Sequence, residues 1–209
     1  MGSLADEQRV VVYIDGYNLY YGQQEAFGRR YQWLDLQAFS ESFLRAGMVL
    51  VTVKYFTAIT KSASGSSQRQ QIYLKALQAH CDRLEIFYGH FLAKPKRCRH
   101  CGAEYKAFEE KKTDVNIACE ILNDAYLNRY DCCYVVSGDS DLAPPLQIVK
   151  AHHSNKRAIV AHPPRRKSAE LCKIANSSFA IGERKFKHCQ LPEKVMTYCG
   201  ELVRPAKWC

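Results

Sequence analysis

Tyr134-Val-Val-Ser-Gly-Asp-Ser-Asp-Leu142 decides the fold. The apolar run from Tyr134 to Val136 is long enough only for a buried strand, and it breaks at Ser137-Gly138. Asp139 and Asp141 follow two positions apart, and Pro144 and Pro145 then open a helix over residues 146–152. Strand, tight turn and helix make the βα unit of a parallel sheet, and the turn leaving the strand's carboxyl end is where such sheets bind ligands. Taken alone, the two acids are equally explained as helix caps, because a helix N-terminus favours negative charge. The question is whether other parts of the chain bring acids to the same edge.

Working outward, the same rhythm repeats. Residues 9–14 (Arg-Val-Val-Val-Tyr-Ile) form a continuous β-branched run, as expected of a strand buried on both faces. It ends at Asp15-Gly-Tyr-Asn18, an acid followed by a turn and an aromatic-rich segment. Further strands are predicted at 48–58, 84–92, 131–136, 156–161 and 178–181, and helices at 36–44, 70–81, 114–126 and 169–175. Residues 62–67 are a small-residue loop, and Gly47 is a helix C-cap. Strands alternating with helices predict a Rossmann-like three-layer αβα sandwich with a mainly parallel sheet of about five to six strands. Residues 93–108 interrupt the rhythm with basic residues and two close cysteines, which marks an insertion.

In that topology Asp15, Asp139 and Asp141 all follow strands, and Asp114 opens a helix at the same edge. Asp114 also falls on its helix's apolar stripe with Ala118, Ile121, Leu122 and Ala125, a costly place for a charge without a positive partner. Clustered carboxylates stay ionised only beside a cation, and oxygen ligands of this kind suit Mg²⁺ or Mn²⁺. Such an ion acidifies water and polarises phosphate, which is the chemistry of phosphodiester hydrolysis. Asn18 and Ser137 are placed to orient water, metal or phosphate, and Lys111 either neutralises Asp114 or contacts phosphate.

Composition agrees with a polyanionic partner. Lys and Arg number 30 against 21 Asp and Glu, a net charge of +9. Lys94, Lys96 and Arg97, with Arg165, Arg166 and Lys167, form the basic runs that would meet a nucleic-acid backbone, the plainer reading being solvated surface. No apolar run is long enough for a membrane span and the start lacks a signal-peptide pattern, so a cytoplasmic protein with mostly reduced thiols is expected. Cys98-Arg-His-Cys101 is the exception among the ten cysteines: it is half a zinc site, to be completed by His80, Cys81, His90 or His100 if the insertion folds back, or by a second copy of the chain in a homodimer. Two free thiols on a basic loop is the competing reading. There is no phosphate-loop or dinucleotide fingerprint, and the first strand lacks the Asp-X-Asp pair of haloacid-dehalogenase-like phosphohydrolases.

Asp15-Gly-Tyr-Asn18, Lys111-Lys-Thr-Asp114 and Ser137-Gly-Asp-Ser-Asp141 together resemble the signature segments of NYN-domain proteins, members of the PIN-like ribonuclease superfamily, and the tail resembles the bacterial LabA-like group. The resemblance covers roughly residues 9–185. It implies a nuclease domain over 1–185 with an insertion at about 93–109 and a tail over 186–209 packing on the domain. It also implies metal-dependent RNA cleavage, with Asp15, Asp114, Asp139 and Asp141 as metal ligands or water-activating acids and Asn18 as their polar companion. The substrate expected is single-stranded or loop RNA. The alternative is a catalytically weak RNA-binding or regulatory module that keeps the acidic cleft. Leu142 stands where the family commonly has Phe, and Asp114 where many PIN-like nucleases have the longer Glu.

Overall fold

In the first strand, β1 (Gln8–Asp15), successive side chains alternate between two cores. Val10, Val12 and Ile14 enter one, while Val11 and Tyr13 enter the other, and all are fully or almost fully buried. Each such side chain contributes about 1.5–3 kcal/mol through the apolar surface it removes from water. A strand buried on both faces must lie inside a sheet covered by helices on both sides. The computed structural model, which describes residues 7–59, 65–198 and 200–208, has that architecture.

Five further strands complete the sheet: β2 (Met48–Thr57), β3 (Leu84–Tyr88), β6 (Cys132–Val136), β7 (Arg157–His162) and β8 (Ser177–Ala180). Their order is β3-β2-β1-β6-β7-β8, and every neighbouring pair is parallel. The chain winds outward from β1 to β3, then returns to β6 on β1's other side and winds outward again. The crevice between the carboxyl ends of β1 and β6 is therefore the topological switch point, where open parallel sheets bind ligands.

Helices α1 (Gly16–Phe27), α2 (Leu36–Glu41), α3 (Gly65–His80) and α7 (Glu183–His188) share the first core. Helices α4 (Thr113–Tyr126), α5 (Ala143–His152) and α6 (Ala169–Ile174) share the second. The three-layer α/β expectation holds. Beyond α7, Leu191, Val195 and Trp208 are buried in the first core, and the hairpin β9 (Lys194–Thr197)–β10 (Gly200–Val203) continues the same packing. Among the described residues no helix is long and apolar enough to cross a membrane.

Two local expectations are corrected. The turn and aromatic-rich segment after Asp15 is a helix starting at once with Gly16, because the Asp15 carboxylate caps it by accepting from the Asn18 amide. The strand predicted over 84–92 stops at Tyr88, and the chain leaves the sheet to form a separate antiparallel hairpin, β4 (His90–Arg97) and β5 (Glu104–Lys111). Lys94, Pro95, Lys96 and Arg97 have no apolar alternation to bury, so this segment pairs with its own return strand instead. Most of the small-residue loop predicted at 62–67 lies outside the described residues, and α3 already begins at Gly65.

Candidate acidic site at the strand ends

The switch-point crevice is built around Asp15, the last residue of β1 and only 4% exposed. One carboxylate oxygen accepts from the Asn18 backbone amide at 3.0 Å, and the other accepts from the Ser137 hydroxyl at 2.9 Å. Ser137, fully buried just past β6, accepts in turn from the Asp139 amide at 3.0 Å. Asn18 closes the loop from the other side: its side-chain oxygen accepts from the Gly138 amide at 3.0 Å. Asp139 accepts from the Asp141 amide at 3.0 Å and so caps the short 3-10 turn Ser140–Leu142. The capping explanation of these acids is thus literally present, but it does not account for their electrostatics.

Burial pushes the Asp15 carboxyl above the usual carboxylate range, the bonds from Asn18 and Ser137 pull it back, and the negative charge of Asp139 raises it again. Among the described residues Asp15, Asp139 and Asp141 make no ion pair. A buried carboxylate beside a second one, with hydrogen bonds but no cation, is a donor set suited to a hard divalent ion.

The other two predicted ligands stand further out. Asp114 lies in the first turn of α4, half-buried, and α4 packs against the 140–142 turn that carries the exposed Asp141. The buried stripe of α4 centres on Ile117, Ile121, Asp124 and Ala125, which leaves Asp114 at its rim and not at its middle. As the side chains stand, no three His, Cys, Asp or Glu among the described residues are grouped closely enough to hold an ion. The structure therefore brings together Asp15, Asn18, Ser137 and Asp139, with Asp114 and Asp141 on flanking elements. Lys111, exposed at the end of β5, precedes α4 by two residues.

The basic turn at 163–167 is pressed against this loop. A Cβ on Gly138 would stand 1.8 Å from the Arg166 carbonyl oxygen, and one on Gly22 would stand 2.6 Å from that of Pro164. Arg166 also pairs with Glu25 of α1. Arg165 and Lys167 are exposed on the same turn, so two of the three predicted cations there are free of the core beside the acidic loop. Lys94, Lys96 and Arg97 lie on β4, all exposed. Sequence reasoning missed His162, the last residue of β7, which is 1% exposed, with its Nε2 3.3 Å from the Cys172 Sγ and its Nδ1 without a hydrogen-bond partner among the described residues. Burial, then the charge of Lys167, hold its imidazole below the ordinary value. Its position at a strand end, like that of Asp15, was the available signal.

At the hairpin tip, the Cys98 amide bonds to the Ala103 carbonyl at 2.8 Å and the Gly102 amide to the Cys98 carbonyl at 2.9 Å. Gly102 takes the left-handed φ of 71° that this turn requires. Backbone amides of Cys101 and His100 lower the Cys98 thiol below its ordinary range. Cys98 and Cys101 find no third ligand among the described residues. Cys81, Cys132, Cys133 and Cys189 are buried free thiols, whereas Cys119 is exposed on α4 because it faces away from the stripe.

The chain is similar over 96% of its length, and 75% of the relative's, to the 6-hydroxy-3-succinoylpyridine 3-monooxygenase HspA of Pseudomonas putida, at 26% identity. Among solved structures it is similar in fold to a Vibrio parahaemolyticus protein of unknown function, with a TM-score of 0.59 at 21% identity, covering 88% of this chain and 98% of that one. The NYN domain model matches residues 9–182, a span that includes both sides of the acidic crevice and the hairpin between them. The chain belongs to the NYN domain family, a PIN-like group whose members are generally nucleases.

Proposed function

We propose that this chain is a metal-dependent endoribonuclease that hydrolyses phosphodiester bonds at the crevice between β1 and β6. The observation that carries the reading is the buried, cation-free carboxylate of Asp15 beside Asp139 at the switch point of a NYN fold. Asp15 and Asp139 would hold Mg²⁺ or Mn²⁺, with Asp114 and Asp141 reaching in from the flanking turns. When bound, such an ion supplies charge neutralisation of the phosphate and an acidified water. Ser137 and Asn18 fix the two strand-end loops relative to each other and keep both Asp15 oxygens oriented. Arg165, Lys167 and Lys111, with Lys94, Lys96 and Arg97 on the hairpin, supply cations for the RNA backbone on either side.

The test is incubation of labelled single-stranded and stem-loop RNA with Mn²⁺ or Mg²⁺, comparing the parent chain with Asp139→Asn. Cleavage by the parent and its loss in the folded variant is the expected result; equal rates would remove Asp139 from the site.

A second reading is favoured by one observation: among the described residues no three carboxylates are grouped as the side chains stand. On that reading the crevice binds RNA without turning it over, and a filter-binding assay would show retention with intact product in both metals. The Pseudomonas relative acts, by its name, on a substituted pyridine, so small aromatic acids belong in the same assays as competitors.

For the hairpin tip we propose a tetrahedral zinc site completed by Cys98 and Cys101 of a second copy. Half an equivalent of zinc per chain in a dimer that a chelator dissociates is the expected outcome. A zinc-free monomer rules it out.

A further inference from the structure

We infer that the cavity walled by α1, β2 and α3 is a binding site for a small, free aromatic acid: a planar ring carrying a carboxylate or carbonyl oxygen. The cavity has a volume of about 310 Å³, at the lower end of the range for small-ligand sites, which suits a single ring or a fused pair. It begins at Gly16 and Tyr17, the residues after Asp15, on the β2 side of β1. The acidic crevice lies on the β6 side, so the two sites share the end of β1 without coinciding.

Two buried amides carry the inference. Gln23 is 4% and Gln32 7% exposed, both line the cavity, and neither side-chain nitrogen has a hydrogen-bond partner among the described residues. Buried donors are almost always satisfied, and leaving two in one cavity is costly unless something else supplies the acceptors. The donors call for acceptor oxygens. Arg29 and Arg69 also line the wall and make an anionic oxygen the better match.

The remaining walls specify a ring. Tyr73 is held by its hydroxyl donating to the Leu34 carbonyl at 2.6 Å, and Trp208 packs edge-on against it at 5.9 Å. Tyr17 donates to the Ala58 carbonyl at 2.9 Å and meets Phe91 edge-on at 6.0 Å. These rings are anchored before any ligand arrives, which lowers the entropy lost on binding. Burial pushes the Tyr55 phenol up to about 12, so it presents a neutral ring and no competing anion. Anchored aromatic faces with unpaired donors between them select a flat molecule with polar edges over an aliphatic acid or a bare phosphate.

The test is calorimetric titration of the full chain with nicotinate, benzoate, pyridine and uridine 5′-monophosphate, with tryptophan fluorescence in parallel. Trp208 lines the cavity and is one of two tryptophans, so its emission reports occupancy. Saturable binding of nicotinate or benzoate is expected, with pyridine about tenfold weaker for want of the oxygen. Gln23→Leu and Gln32→Leu should each weaken the acids by about tenfold without lowering the melting temperature, since each removes an unsatisfied buried donor. Gln32→Glu, which keeps the side chain's size, should abolish binding by repulsion and covers the case in which a leucine variant misfolds. RNA cleavage is measured on the same samples, so failure here and failure of the nuclease reading are separate results. Three outcomes overturn the inference: no saturable binding of either acid at millimolar concentration, undiminished binding in the Gln23→Leu/Gln32→Leu double variant, or uridine monophosphate binding tighter than both acids, which would make the site a nucleotide-base pocket.

Discussion

Two buried aspartates, Asp124 and Asp15, meet opposite fates. Asp124 of α4 is fully buried, and its carboxylate is surrounded by donors: Lys54 at 2.6 Å, the Tyr13 hydroxyl at 2.7 Å and Arg129 at 3.2 Å. Lys54 itself is 1% exposed and is shared with Glu120 at 2.6 Å. Asp15 is nearly as buried but receives only neutral donors and has Asp139 as its charged neighbour. A carboxylate closed on by cations is finished as structure. One left short of positive charge at a switch point retains an affinity that folding has not used.

Breaking the complete cluster should have the largest effect. Lys54→Met leaves Asp124 and Glu120 without their shared ammonium and should cost about 3–5 kcal/mol in urea unfolding at neutral pH. Adding Asp124→Asn to that variant should recover part of the loss. If Lys54→Met were neutral, the contrast between the two aspartates would collapse.

Next in size is the clasp that shapes the incomplete site. Gly138→Ala drives a methyl group into the Arg166 carbonyl oxygen, 1.8 Å from an ideal Cβ. It should cost about 2–3 kcal/mol and shift the basic turn away from the acidic loop. A weaker RNA interaction at unchanged metal affinity is the accompanying readout.

A smaller effect of opposite sign is expected at Asp15. Asp15→Asn keeps the shape and removes a charge that burial disfavours, so it should stabilise the metal-free protein by about 1 kcal/mol at pH 7. The folded carboxyl holds its proton more tightly than the unfolded one, because its value is raised. The parent chain therefore loses stability as pH climbs from about 4 through that raised value, and only below about 4, where the carboxyl is protonated in both states, should the two proteins converge. Mn²⁺ should raise the parent's melting temperature and leave the variant's unchanged. A destabilised variant at neutral pH would show that the Asp15 charge is already compensated.

The smallest effect is chemical. Cys98, lowered by backbone amides, should be alkylated by iodoacetamide well below the pH that an ordinary exposed thiol needs, and well ahead of Cys133, which burial pushes up to about 12. Equal rates for Cys98 and Cys133 would contradict the turn geometry.

How much of this the sequence discloses depends on whether a residue's role is local. The βα units were readable because β-branched runs such as Val10–Val12 and the Val135-Val136 pair bury on both faces and break at turn residues. The positions of Asp15 and Asp139, at and just past the carboxyl ends of β1 and β6, were readable because each follows an apolar β-branched run. Helix α1 was not, since Gly16, Gly22 and the cluster of tyrosines carry no regular apolar period, and its start is set by an Asp15 cap that only the fold defines. Nor was the Lys54–Asp124 pair, because two charged residues 70 positions apart look solvated until β2 and α4 are packed together. The cavity was hidden for the same reason: Gln23, Gln32 and Trp208 meet only in three dimensions.

The adjacent residues Cys132 and Cys133 extend the two-sided character of β6 into a means of watching the protein come apart. Both are fully buried, yet one thiol lies in the core beneath α2 and the other in the core beneath α4. A single peptide thus carries one probe for each half of the sandwich. Pulse labelling in mild denaturant, read by fragment mass, would report whether the two layers peel away together or in sequence.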